Sequence, residues 1–172
     1  LNESKVSPRE ILGIGISSQG ESFVSLGKDG KPVGRAIVWL DNRSKEEAQL
    51  IKDRFGVADA YRVTGQNDVI PTWTATKIFW LKRNESALFE RVYKFLLLED
   101  YMIYRLTGIF ATEYSMVCSS FLFDISRRQW WGELLDFIGI SEDELPELRP
   151  PGAAVGNVTA EAANETGLHT NS

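Results

Sequence analysis

The stretch that decides the fold covers residues 11–44, ILGIGISSQGESFVSLGKDGKPVGRAIVWLDNRS. Residues 11–17 are apolar and predict a buried strand, and a polar cluster, residues 17–21, follows it. After a Lys-Asp-Gly-Lys hairpin signal, residues 34–39 predict another strand, which ends in the Asp-Asn-Arg of residues 41–43. Polar groups at the carboxyl ends of strands hold small ligands in α/β sheets. These two strand ends therefore predict a ligand site.

Composition restricts the classes of protein to which the chain can belong. The chain has 172 residues, a net charge of −5, and acidic and basic residues mixed along its length. One domain with one core is expected at this length, and the absence of a basic stretch argues against nucleic-acid binding. The sequence contains neither an apolar run that could cross a bilayer nor a recognisable signal peptide, so we expect no membrane contact and a cytoplasmic location.

The chain has one cysteine, Cys118, and one histidine, His169, which lies in a polar tail. A lone cysteine excludes an intrachain disulfide and is typical of a reducing compartment. The lone histidine excludes a zinc cluster and a Ser/His or Cys/His pair from the body of the domain. A general base would therefore have to be a carboxylate, or a lysine or tyrosine with a shifted pKa.

Strand and helix patterns alternate along the chain, which predicts the α/β class. Strands are predicted at residues 11–17, 23–26, 34–39, 93–98 and 121–124. A capping box at residues 44–47 predicts the start of a helix that ends at Gly56, and a second box is recognised at residues 141–144. Further helices are predicted at residues 58–63, 74–82, 85–92, 100–107, 132–137 and 160–166.

Two phosphate-binding motifs can be set aside. Gly13, Gly15 and Gly20 near a strand end, with Asp41 about twenty residues on, invite a dinucleotide-binding interpretation. The spacing differs from G-x-G-x-x-G, however, and a β-like run follows where that motif needs a helix N-terminus. The lysines and glycines of residues 27–31 lack the Lys-Ser/Thr ending of a P-loop and lie in a turn.

Several spaced motifs together resemble the FGGY family of carbohydrate kinases. They are Gln-x-Glu at residues 19–21, Trp-x-Asp-x-Arg at residues 39–43, and the segment TATKIFWLKRN at residues 74–84. Residues 93–108, 111–124 and 156–167 are also similar to the family, so the resemblance covers about nine-tenths of the chain.

The resemblance implies a ribonuclease H-like (actin-like ATPase) domain with a mixed sheet and flanking helices, incomplete at both ends. Residues 1–172 would form part of the N-terminal, sugar-binding domain of such a kinase. The family's phosphate-binding hairpin would lie upstream of Leu1 and its catalytic Asp beyond Ser172. No catalytic residue and no metal ligand is therefore assigned, and the chain alone is expected to transfer no phosphate.

The resemblance also implies substrate-binding residues. In glycerol kinases an Arg and a Glu at the positions of Gly20 and Glu21 bind substrate hydroxyls, and Gln19 is shared. A carboxylate suits this role, because it accepts charge-assisted hydrogen bonds from neighbouring hydroxyls. Gly20 in place of Arg removes a donor fork and is expected to open space. A substrate larger than glycerol is expected, with a pentose or ketopentose favoured.

Five further residues are substrate-binding candidates on the same basis. Trp39, Asp41 and Arg43 would lie at the mouth of the sugar pocket, with a core Trp and a solvated surface ion pair as the alternative. Thr72 and Trp73 stand near the position where glycerol kinases use a Tyr to contact substrate. An aromatic face suits the C–H side of a sugar, although Trp73 could equally belong to the core.

The implied activity is ATP-dependent phosphorylation of a sugar or polyol hydroxyl, with this chain supplying the sugar side of the cleft and Mg²⁺ and ATP as cofactors of the full-length protein. The expected partners are a small-molecule sugar and a C-terminal domain of the same protein; a homodimer is left open. The alternative is a sugar-binding or regulatory module without catalysis.

Overall fold

The fold is described from a computed structural model, which describes residues 5–170 and 172. The helices are α1 Lys45–Phe55, α2 Val57–Thr64, α3 Thr74–Asn84, α4 Ser86–Phe89, α5 Leu98–Thr107, α6 Tyr114–Val117, α7 Gly132–Ile138 and α8 Ala160–Thr166. The strands are β1 Phe23–Leu26, β2 Lys94–Leu97, β3 Ala111–Glu113, β4 Phe123–Asp124, β5 Gln129–Trp130 and β6 Glu147–Arg149. Short 3-10 turns lie at Pro8–Glu10, Cys118–Ser120 and Glu142–Glu144.

The structure combines helices with short strands, which confirms the α/β prediction, and the described strands pair two by two. β1 and β2 are antiparallel with Phe23 opposite Leu97, and β4 and β5 are antiparallel with Phe123 opposite Trp130. β3 and β6 are parallel, with Ala111 opposite Glu147. All four residues of β1 are buried, as expected for a strand covered on both faces.

The core lies between the β1–β2 pair and helices α1, α3 and α7. Phe23, Ile51, Ile78, Leu134 and Ile138 are each at most 1 % exposed. On α3 residues 74–78 are all buried, so its first turn and a half is enclosed by the core, and residue 81 continues the buried face. Within the described residues, none of the helices combines the length and apolar character needed to cross a lipid bilayer.

Several helix ends form as their sequence predicts. Thr159 caps α8 by accepting a hydrogen bond from the N–H of Ala162, as expected for a threonine at this position. Gly108 and Gly167 end α5 and α8 in the left-handed conformation that glycine adopts without steric cost. The second predicted capping box forms around Ser141, whose N–H donates to the carboxylate of Glu144 at 2.7 Å.

The strand predicted at residues 11–17 is wrong. The segment has no regular hydrogen bonding, and Leu12 is 92 % exposed. A strand needs a partner to satisfy its backbone polar groups, and no strand among the described residues pairs with this one. The apolar composition of residues 11–17 therefore does not by itself produce a strand.

Three other predicted boundaries need correction. Residues 34–39 do not form a strand; only single bridges join Ile37 to Phe23 and Pro32 to Leu26, around the confirmed turn at Gly30. The helix predicted at residues 85–92 is limited to α4. The capping box at residues 44–47 does not form, because the Ser44 hydroxyl is buried and bonds to the carbonyl of Pro71 and the hydroxyl of Thr76 instead.

Candidate functional site

Two of the segments predicted to carry the site meet at the start of β1. The bridge between Phe23 and Ile37 places residues 19–22 beside residues 38–43. The N–H of Trp39 donates to the hydroxyl of Ser22 at 3.0 Å, which fixes the two segments to each other. The structure thus brings Glu21 and the Trp39–Arg43 motif together, although residues 11–17 are not a strand.

Glu21 lies in a tight turn with an uncommon backbone conformation. Its φ is 58°, and the N–H of Ser22 donates across it to the carbonyl of Gly20 at 2.7 Å. A positive φ at a residue other than glycine is uncommon, and residues held in this way concentrate at functional sites. The conformation is therefore an independent reason to regard Glu21 as functional.

Gly20 is in close contact with another part of the chain. A Cβ atom at this position would lie 2.1 Å from the Oγ and 2.8 Å from the Cβ of Ser119. The expectation that a glycine here opens space for a larger substrate stays a prediction, because this contact concerns only the side of the turn that faces Ser119. The room that a side chain would need is occupied by Ser119, whose hydroxyl donates to the carbonyl of Met116 at 2.7 Å.

The carboxyl group of Glu21 is half-buried at this surface. Burial raises its pKa above the usual glutamate range, and the positive charge of Lys77 acts in the opposite direction. The group is therefore partly desolvated and lies close to a fixed cation. Desolvation strengthens the hydrogen bonds that a carboxylate can accept from a polar ligand, and the nearby cation favours its ionised form.

Asp41 and Arg43 form a tight ion pair. The Nε of Arg43 lies 2.9 Å from both carboxylate oxygens of Asp41, Nη2 lies 2.7 Å from Oδ2, and the N–H of Arg43 donates to Oδ1 at 3.0 Å. The hydrogen bonds from Arg43 hold the pKa of Asp41 below its usual range. The guanidinium also lies 4.7 Å from the ring centre of Trp80. The pair is thus fixed in position. The side chain of Arg43 is 41 % exposed and that of Asp41 is 21 % exposed.

Trp39 gives this surface an accessible aromatic side chain. It is 43 % exposed, and its neighbours Val38 and Leu40 are 45 % and 64 % exposed. The alternative of a core position for Trp39 therefore does not hold in this structure. An exposed indole beside carboxylates can contact both the apolar C–H face and the hydroxyl edge of a carbohydrate.

The two candidates from the loop before α3 differ in their surroundings. Thr72 is half-buried, and its carbonyl accepts a hydrogen bond from the Nζ of Lys77 at 2.6 Å. Trp73 is 8 % exposed, stacks on Phe121 with ring centres 6.0 Å apart, and donates its indole N–H to the carbonyl of Asp68. The structure therefore places the ring of Trp73 in the core, which is the alternative that its sequence context had left open.

Sequence reasoning missed one residue of this site, Lys77. Lys77 lies on α3, and its side chain is fully buried. Its Nζ donates to the carbonyl of Thr72 at 2.6 Å, to that of Val38 at 3.0 Å and to that of Glu21 at 3.5 Å. A signal was available, because residue 77 stands on the buried stripe of α3 between residues 74 and 81. A lysine at a buried position of a helix needs partners for its ammonium group, so its presence there indicates a specific role.

The remaining candidate, Gln19, has an exposed side chain beside this turn. Among the described residues, no three His, Cys, Asp or Glu side chains gather closely enough to hold a metal ion. The site is thus a surface of carboxylates, an arginine and an aromatic ring. Chemically, it can accept and donate hydrogen bonds and cover an apolar face, which suits a polyhydroxylated ligand.

Comparison with known proteins agrees with this description. A family profile described as the FGGY family of carbohydrate kinases, N-terminal domain, matches residues 1–171. The chain is 33 % identical over 162 residues to a xylulose kinase from Staphylococcus xylosus, a match that covers 94 % of the chain and 33 % of the relative.

Solved structures show the same likeness. A gluconate kinase from Lactobacillus acidophilus superposes with a TM-score of 0.83 at 29 % identity, over 90 % of this chain and 31 % of that one. A glycerol kinase from Plasmodium falciparum, solved with ADP, superposes with a TM-score of 0.80 at 26 % identity, over 88 % and 31 %. The predicted actin-like α/β fold is confirmed.

The chain spans about one third of the length of the curated relatives it matches. The family match nevertheless extends over nearly every residue, and it includes the turn at Glu21, the Asp41–Arg43 pair and α3. The motifs that carried the sequence resemblance are therefore the ones that the fold assembles into one surface. On these grounds the chain belongs to the FGGY family of carbohydrate kinases.

Proposed function

We propose that this chain forms the sugar side of the active-site cleft of an ATP-dependent sugar kinase, with a ketopentose such as xylulose as the first candidate substrate. The observation that carries the proposal is the shared surface of Glu21, Trp39 and the Asp41–Arg43 pair. Its partly desolvated carboxylate suits sugar hydroxyls, and its exposed indole suits a sugar C–H face. Relatives named as xylulose kinases support the choice of substrate.

Within this proposal, the sugar site is lined by Gln19, Gly20, Glu21, Trp39, Asp41, Arg43 and Thr72. Glu21 accepts hydrogen bonds from substrate hydroxyls, and Trp39 covers the apolar face of the sugar. Arg43 keeps Asp41 ionised and oriented. Trp73, which sequence similarity also suggested, supports the site from the core through Phe121.

ATP and Mg²⁺ belong to the proposal as cofactors of the full-length protein, because the family consists of kinases. We assign no Mg²⁺ ligand and no catalytic base to the described residues. We propose that a C-terminal domain of the same protein completes the cleft, and that the protein acts in the cytoplasm. A homodimer remains compatible with this arrangement.

The experiment that tests the proposal has two stages. Thermal shift of this chain with xylulose, gluconate and glycerol reports binding, and a ligand at a hundred times its Kd should stabilise the fold by about 2.7 kcal/mol. Sugar-dependent ATP consumption by the protein from its complete reading frame reports catalysis. Binding without consumption would favour the non-catalytic sugar module instead. The absence of both binding and ATP consumption with all three ligands would refute the proposal.

Replacing Glu21 with Gln is expected to weaken sugar binding by roughly 10-fold to 100-fold, because the variant exchanges charge-assisted hydrogen bonds for neutral ones. Isothermal titration with xylulose measures the change. Glu161→Gln provides the matched control, since Glu161 is an exposed glutamate on α8. Equal affinities in the two variants would remove Glu21 from the site.

A further inference from the structure

The most unusual buried group outside the residues already assigned is the ammonium of Lys77. Lysine is almost never fully buried unless it is paired, yet the side chain of Lys77 lies among the largest fully buried side chains of the chain. Among the ion pairs of the described part of the chain, none includes Lys77. Its charge is therefore compensated in another way.

Backbone carbonyls provide that compensation. The ammonium has three protons to donate, and three carbonyl oxygens surround it at 2.6, 3.0 and 3.5 Å, those of Thr72, Val38 and Glu21. The hydroxyl of Thr74, also on α3, donates to the Glu21 carbonyl at 3.2 Å. One side chain thus joins α3 to the loop that leads into it and to two segments far from it in the sequence, at Glu21 and Val38.

Each of these carbonyls belongs to a segment of the proposed sugar site. Glu21 and Thr72 are themselves candidate residues, and Val38 directly precedes Trp39. The charge of Lys77 also attracts the carboxylates of Glu21 and Asp41 and repels Arg43. A lysine that served packing alone would have no need to donate hydrogen bonds to the backbone of three site segments.

We propose that Lys77 is a positioning residue, whose buried ammonium holds the Glu21 turn, the strand end before Trp39 and the Thr72 loop in the geometry that binds the sugar. This inference deepens the proposed function and rests on it. Lys77 does not touch the sugar; it acts through the backbone of the residues that do.

The protonation state of Lys77 gives the proposal a pH signature. Burial lowers its pKa to about 8, while Asp41 and Glu21 raise it and Arg43 lowers it. A neutral amine donates weaker hydrogen bonds than an ammonium, so sugar affinity should decrease as the pH rises through about 8. Between that value and the ordinary lysine pKa of about 10.4, the folded state binds fewer protons than the unfolded state, so the contribution of Lys77 to the free energy of unfolding rises with pH.

The variants Lys77→Met and Lys77→Arg test the proposal in the protein expressed from its complete reading frame, with xylulose and ATP as substrates. Lys77→Met should raise the KM for xylulose by ~10-fold or more and the KM for ATP by no more than ~2-fold. Ile78→Ala, which cuts a neighbouring fully buried side chain on α3, controls for lost stability and should leave the KM for xylulose within ~2-fold. Lys77→Arg stays charged at every working pH, so its KM profile should lack the step near pH 8.

A second measurement needs no sugar. Amide hydrogen exchange in peptides covering residues 18–22 and 37–41 should be at least ~5-fold faster in Lys77→Met than in Ile78→Ala. An unchanged KM for xylulose, or equal exchange in the two variants, would overturn the positioning role. If the wild type phosphorylates none of xylulose, gluconate and glycerol, the proposed function fails, and the exchange comparison still decides whether Lys77 positions these segments.

Discussion

The free energy of unfolding is expected to fall as the pH rises from about 4 to about 8, because Asp100 is held as a neutral acid in the folded state. Asp100 lies in the first turn of α5 and is 1 % exposed. Its Oδ2 accepts a hydrogen bond from the N–H of Leu97 at 2.8 Å. Burial raises its pKa to about 8; Thr112 and the Leu97 N–H act against the increase, and the nearby carboxylates of Glu99 and Glu113 add to it.

The sign of this effect follows from the two protonation states. In the unfolded chain Asp100 ionises near its ordinary pKa of about 3.9, whereas the folded chain keeps the proton up to about pH 8. Between these values the folded state binds more protons, so stability decreases with rising pH and levels off above the folded pKa. A difference of this size corresponds to a loss on the order of 5 kcal/mol across the window.

Asp100→Asn isolates this contribution. An asparagine can still accept the hydrogen bond from Leu97 and cannot ionise, so it preserves the cap without the titration. Urea unfolding at about pH 4.5 and about pH 7.5 should show a steep loss of stability in the wild type and a much smaller one in the variant. The comparison is needed because Glu21 and Glu99 also have raised pKa values, which act in the same direction. Parallel pH profiles for the two proteins would show that Asp100 is ionised in the fold.

Sequence predicted the features of this fold whose causes are local. Gly108 and Gly167 end helices because each helix needs a left-handed residue after its last turn. Thr159 begins a helix because its hydroxyl accepts a hydrogen bond from the N–H of Ala162, in the first turn. The turn at Gly30 depends equally on its own residues. These signals need no information about distant parts of the chain.

The failures share a physical cause, which is their dependence on partners that are distant in the sequence. Ser44 has the right spacing for a capping box, but the carbonyl of Pro71 and the hydroxyl of Thr76 lie within reach and bind its hydroxyl instead. The apolar segment at residues 11–17 has the composition of a strand and lacks a paired strand among the described residues. Composition and spacing describe what a segment can do, while pairing depends on which neighbours the fold supplies.

The candidate site shows the same division. Glu21, Asp41 and Arg43 were identified because their motif resembles a family, and the fold brings them to one surface. For both Trp39 and Trp73 the sequence left open whether the side chain belongs to the site or to the core. In the structure Trp39 is 43 % exposed and Trp73 is 8 % exposed. Lys77 also lies in a motif that resembles the family, residues 74–84, but its role could not be inferred from that motif, because its partners are backbone carbonyls of other segments.

Gly20→Ala is expected to weaken sugar binding by roughly 10-fold to 100-fold, because a displaced Glu21 carboxylate loses charge-assisted hydrogen bonds to the sugar. The new Cβ would lie 2.1 Å from the Oγ and 2.8 Å from the Cβ of Ser119. Rotation of the Ser119 side chain can relieve the first contact but not the second, so the turn that carries Glu21 must move. Isothermal titration of xylulose with the Gly20→Ala variant measures the loss, and unchanged affinity would show that the turn adapts without displacing Glu21.

Changes at Ser119 separate a steric cause from any other. Ser119→Ala removes only the hydroxyl, so it should restore little of the affinity lost in Gly20→Ala. Ser119→Gly removes both clashing atoms, so the double variant with Gly20→Ala should bind sugar nearly as well as Ser119→Gly alone. Equal affinities in the two double variants would mean that the Cβ contact at 2.8 Å is not what displaces the turn. The predicted order of affinities thus tests whether close packing between residues 20 and 119 sets the position of the Glu21 carboxylate.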